Sequence, residues 1–89
     1  MDVSAAEILA LKALSWAASG EALPRFLGAS GIEIDDLRDR AGDPELLAAM
    51  LDFLLTDDSL VTEFCAAEDI SLRDIHDARR ALPGAVLEP

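Results

Sequence analysis

Apolar residues recur along most of the chain at intervals of three and four, the spacing that lines one face of a helix, and clusters of Ser, Gly, Asp and Pro interrupt them. The pattern predicts an all-α chain of five or six helices. Ser4 with Glu7 forms a capping box for a first helix over about 5–18, which Ser19-Gly20 ends. A second, short helix follows over about 21–29, with Pro24 tolerable only in its first turn and Gly31 as a left-handed stop. A third covers about 34–41 and closes at Gly42. Asp43-Pro44-Glu45 then supplies an N-cap, a Pro at the first helical position and an acid at the positive helix end, the strongest helix start in the chain. That fourth helix runs to about 55 and a fifth spans about 58–67. Ser71 with Asp74 caps a sixth that ends before Pro83-Gly84, leaving 85–89 as a loose C-terminal tail to a single domain over 1–84.

Two helices carry most of the information about packing. Along "PELLAAMLDFLL" and the residue after it only Glu45, Asp52 and Thr56 are polar, and their spacing puts them on one narrow stripe, so the remaining circumference should be covered and Asp52 should face solvent. The first helix is less tidy: Ser4, Glu7, Lys12, Ser15 and Ser19 fall in an arc of roughly 140° at 100° per residue, yet Ile8 and Leu11 project into that arc. Either another part of the chain folds over these aliphatics, or they form a contact surface for a partner protein or a second copy of the chain. Trp16 lies on the opposite side and reads as core.

The halves of the chain correspond at a constant offset of 38, about 7–39 onto 45–77: Leu9 falls on Leu47, Phe26 on Phe64, Ile32 on Ile70, Asp36 on Asp74 and Asp39 on Asp77. Capping and turn layout correspond as well, which favours a duplicated three-helix unit. Two units are too few for a solenoid and should pack on each other as one globule around the fourth helix. "FLGASGIEIDDLRDRA" and "FCAAEDISLRDIHDAR" are then two copies of one helix-stop-helix corner, with Ile32 and Ile34, and their counterparts Ile70 and Leu72, anchoring it in the core. Glu33 is a poor N-cap for the third helix, unlike Ser71 in the second copy.

Composition narrows the functional classes. The 89 residues suit one domain, and their 52 % apolar content supplies a core built mainly from Leu, Ile and Ala. Eighteen acids against seven Lys and Arg give a charge of -11, which repels phosphate backbones and anionic membranes, so nucleic acid is a disfavoured partner. One cysteine and one histidine exclude an internal disulfide and a zinc ligand set, and a reducing cytoplasm is the simplest setting. The apolar opening is too short to span a bilayer, and Asp2, Glu7 and Lys12 argue against an export signal; no membrane role is expected.

Catalytic chemistry finds few candidates. His76, the sole imidazole, shares a face of the sixth helix with Arg73 and Arg80; this basic stripe reads either as helix-surface pairing of Arg73 with Asp69 and Asp77 or as a patch for an acidic partner. Asp35-Asp36 and Asp57-Asp58 sit at helix starts, where capping explains them, and outside any calcium-loop pattern. Cys65 reads as a small buried apolar residue. No catalytic, cofactor-binding or metal-ligating residue is assigned, and no cofactor or enzymatic activity is expected. The two corners have the layout of a helix-turn-helix, but Asp35, Asp36 and Asp39 surround Arg38 and Arg40 in the first, which leaves the sixth helix as the only plausible DNA reader.

The segment "LRDRAGDPELLAAMLDFLLTDDSLVTEF", with "ALKALSWAA", "FLGASGI" and "DARRALPG", resembles a family of small bacterial proteins, mainly alphaproteobacterial, known as domain of unknown function 3572. The resemblance implies a small, helical, cytoplasmic protein and carries over no catalytic residue. The expected role is a non-enzymatic adaptor or regulator that contacts another protein or itself, with a DNA-binding regulator using the sixth helix as the alternative.

Overall fold

Helix starts are fixed by short side chains that accept free backbone N–H groups. In the computed structural model, which describes residues 1–82, α1 (Val3–Ala18), α2 (Ala22–Ser30), α3 (Ile34–Asp39), α4 (Pro44–Leu55), α5 (Asp58–Glu68) and α6 (Leu72–Ala81) follow in order. Asp43 caps α4 by accepting the Glu45 N–H at 2.9 Å, with Pro44 as the first helical residue. Asp57 accepts the Leu60 N–H at 3.1 Å, and Ser71 the Asp74 N–H at 3.1 Å. The first helix departs from expectation: its cap is Asp2, whose Oδ1 accepts the Ala5 N–H at 2.7 Å, so α1 begins ahead of Ser4. Asp caps as well as Ser, and starting earlier adds helical hydrogen bonds. Glu21 and Glu33 make no side-chain cap bond, in keeping with the longer glutamate arm.

The chain forms an all-α globule with no strand among the described residues. Its radius of gyration is 12.1 Å, against about 12 Å for a compact chain of this length. The buried face of α1 is a stripe of Ala6, Ala10, Ala13 and Ala17 with Leu9. Side chains this small let neighbouring helices come close, and α1 packs mainly on α4 and α6. Helix α4 contributes Leu46, Leu47, Ala48, Met50, Leu51 and Leu54 to the core and also meets α5 and α6, while Glu45, Asp52 and Thr56 face outward as the stripe predicts. No polar or charged side chain is buried among the described residues, so the core is held by apolar contact alone. Phe26 of α2 meets Phe53 of α4 edge-on at 5.4 Å between centroids, and Phe64 of α5 meets Trp16 of α1 at 5.5 Å.

The two corners share a conformation at the offset seen in the sequence. Gly31 (φ 76°) ends α2 and Asp69 (φ 55°) ends α5, both left-handed, donating to the carbonyls of Leu27 and Cys65. Two residues on, Glu33 (φ -84°, ψ 153°) and Ser71 (φ -84°, ψ 154°) stand in nearly the same extended conformation before α3 and α6. The helices that follow differ, with 6 residues in α3 and 10 in α6.

Ile32 and Ile70 pack half-buried against the core, but Ile34 and Leu72 do not anchor the turn: they are 41 % and 48 % exposed. Each is the first residue of its helix, and the buried contact is made three residues later by Leu37 and Ile75. The expected stop at Pro83-Gly84, the tail at 85–89 and the end of the 1–84 unit lie outside the described residues.

Candidate functional site

Burying the alanine stripe of α1 turns the opposite side of that helix outward, and two large aliphatics go with it. Ile8 is 58 % exposed and Leu11 40 % exposed, so the described residues do not fold fully over them. They line an open groove of about 430 Å³ with Lys12, Trp16 and Glu68, the last contributed by the end of α5. Trp16 is not the core residue expected of it. It is half-buried, with its ring against Phe64 and an edge in the groove.

A second hollow, of about 380 Å³, shares Trp16 and Ser19 with the first and adds Glu21, Arg25, Leu60 and Glu63. Together they form a continuous depression over α1, α5 and the start of α2. Lys12 makes no ion pair among the described residues, whereas Arg25 is held at 2.7 Å by Asp57 Oδ2. The rim is therefore acidic, with Glu21, Glu63 and Glu68 set against one unpaired ammonium. Sequence reasoning found Ile8 and Leu11 from helical phase, but Glu63, Glu68 and Arg25 reach the same surface only through the packing of three helices.

The basic stripe on α6 is arranged differently from the pairing expected of it. Arg73, His76 and Arg80 are all exposed, but Arg73 makes no ion pair with Asp69 or Asp77 among the described residues. Asp77 instead receives Arg80, one turn closer to the helix end. Arg79, outside the predicted stripe, crosses to α4 and places Nε 2.5 Å from Asp52 Oδ1. Asp52 thus faces solvent with a cationic partner, beside a small hollow that includes Phe26, Phe53 and Thr56 but not His76.

Other polar groups serve local structure. Asp57 is an N-cap, and Asp35, Asp36 and Asp58 lie in first turns. Asp43 and Asp57 are held below the ordinary carboxylate range, first by the backbone N–H groups they cap and then by Arg40 and Arg25. Cys65 is half-buried rather than buried, and burial together with the Asp74 charge pushes its thiol upward, away from the nucleophilic thiolate. Among the described residues no group of three or more His, Cys, Asp or Glu side chains could hold a metal ion, and no helix is long and apolar enough to cross a membrane. In the first corner Arg38 lies 3.9 Å from Asp35 and Arg40 3.1 Å from Asp43, so both arginines are engaged by acids.

Comparison with known proteins gives a family for this fold. The model of a protein of unknown function (DUF3572) matches residues 3–85, and the chain belongs to that family. No curated protein and no solved structure matches it.

Proposed function

We propose that this DUF3572 protein is a non-enzymatic adaptor or regulator that docks another protein on the outward face of α1. The observation that carries the reading is the exposure of Ile8 and Leu11 in a groove extended by Trp16. Contiguous apolar surface rimmed by polar groups marks sites of association. The Cys65 thiol, pushed toward its protonated form, suits a role without nucleophilic catalysis. The setting we propose is a reducing cytoplasm, which suits the free Cys65.

The test is affinity capture from native cells with the wild-type chain and with Ile8→Ser/Leu11→Ser, partners being identified by mass spectrometry. Both side chains stand in water, so the double variant should keep its helical signal and melting temperature. A captured protein lost with the double variant supports the reading. Retention of every partner, with an unchanged oligomeric state, overturns it.

The exposed Arg73, His76 and Arg80 favour a second reading, DNA binding through α6. Against it, Arg79 and Arg80 are already taken by Asp52 and Asp77, and the overall charge is -11. Titration against mixed duplex DNA at about 50 mM salt maximises phosphate contacts, and absence of binding there removes this reading.

A further inference from the structure

We infer that the occupant of the α1 groove is a basic amphipathic helix of the partner protein. The inference rests on the docking reading above and adds the chemistry of the ligand.

The shape of the site comes first. The depression lies between helices, and the ridges of a helix fill such a groove. Its apolar floor is short: Ile8 and Leu11 at one end and the edge of Trp16 beside them, while Leu60 toward the other end is buried at 4 % exposure. A helix with apolar residues three and four apart presents anchors in that arrangement.

Charge then selects the ligand. Glu21, Glu63 and Glu68 rim the floor against the single ammonium of Lys12, unpaired among the described residues, while Asp58 lies beyond Glu63 on the adjoining surface and the Arg25 charge is already matched by Asp57. Lysines or arginines flanking the apolar stripe of a partner helix meet these carboxylates, while an acidic helix meets repulsion from a chain of charge -11. The same charge counts against a second copy of the protein, which brings its own -11. Because charge contributes to it, the association is sensitive to salt.

Trp16, the only tryptophan, lines both hollows and reports on the site directly. Three Trp-free 18-residue peptides of equal length serve as probes for the full-length protein: a Leu/Lys amphipathic helix, its Leu/Glu counterpart, and a Lys/Ser peptide of the same charge as the first. The Leu/Lys peptide should shift Trp16 emission saturably, about tenfold more weakly with Ile8→Ser/Leu11→Ser. Glu63→Lys/Glu68→Lys should weaken it severalfold, as should raising NaCl from about 50 to 300 mM.

Equal or tighter binding of the Leu/Glu peptide, lost with Ile8→Ser/Leu11→Ser, overturns the basic helix while leaving the docking face in place. A Trp16 response to the Lys/Ser peptide that matches the Leu/Lys response overturns the amphipathic requirement. If the Ile8 and Leu11 substitutions change no peptide's binding, the docking reading itself falls. Circular dichroism of each variant separates these outcomes from loss of fold.

Discussion

Arg25 Nη2 lies 2.7 Å from Asp57 Oδ2 while Asp57 Oδ1 accepts the Leu60 N–H at 3.1 Å, so one carboxylate both starts α5 and fastens it to α2. The two roles can be separated by substitution. Asp57→Ala removes cap and ion pair and should lower the melting temperature by about 5 °C. Asp57→Asn retains capping ability and Arg25→Ala leaves the cap intact, so each should cost clearly less. Thermal unfolding followed by circular dichroism measures all three; equal losses for Asp57→Ala and Arg25→Ala would show that the cap contributes nothing.

The lowered positions of Asp43 and Asp57 set a pH dependence. Their ionised forms are favoured in the folded chain, so the stability they provide is fully present above the ordinary value of 3.8 and is lost as pH falls through their lower folded values. The gap in melting temperature between wild type and Asp43→Ala/Asp57→Ala should therefore be constant from neutral pH to about 5 and shrink from there to pH 2. Comparing the two proteins cancels the relief of self-repulsion as other acids titrate. A gap that widens in acid contradicts the assignment.

Gly31 and Asp69 occupy the same left-handed position in the two corners, and one is the residue that position prefers. No heavy atom lies within 4 Å of a Cβ built on Gly31, so Gly31→Ala meets only backbone strain, costing about 1–2 kcal/mol. Asp69→Gly relieves the same strain and should leave stability unchanged or raise it by up to about 1 kcal/mol. Urea denaturation midpoints decide this: a raised midpoint for Gly31→Ala, or a clearly lowered one for Asp69→Gly, is not compatible with the shared geometry.

Crowding of eighteen acids on a small surface should make the fold sensitive to ionic strength. Raising salt from about 0.01 M to 0.15 M shortens the screening length from about 30 Å to 8 Å, and the melting temperature should rise over that interval. A flat response in calorimetry would mean that the ion pairs among the described residues already balance the field.

Local chemistry made the helices legible. Asp43-Pro44-Glu45 and Ser71 name their own helix starts, because a cap involves only the next few residues. The Ser4–Glu7 capping box pointed to a start two positions too late, because Asp2, a cap as good as Ser, takes the role. The phase of α1 located Ile8 and Leu11 on the polar side, since helical periodicity alone decides which residues share a face. What periodicity does not carry is distance across the fold. Asp52 and Arg79 are separated by 27 positions and Arg25 and Asp57 by 32, so their pairing depends on how α4 meets α6 and α2 meets α5. Trp16 is half-buried against the core rather than enclosed by it for a related reason: its ring meets Phe64 of α5, and the hollows flanked by Glu63 and Glu68 leave its edge open.

The aromatic contacts have a consequence for how the chain is made. Phe26 closes on Phe53 and Phe64 on Trp16, each joining an early segment to a later one, and α1 rests mainly on α4 and α6. During synthesis α1 emerges ahead of both its main neighbours: α4 can cover part of its alanine stripe, and the rest stays uncovered until α6 follows. The core is completed by contacts distant in sequence, not helix by helix from α1 onward.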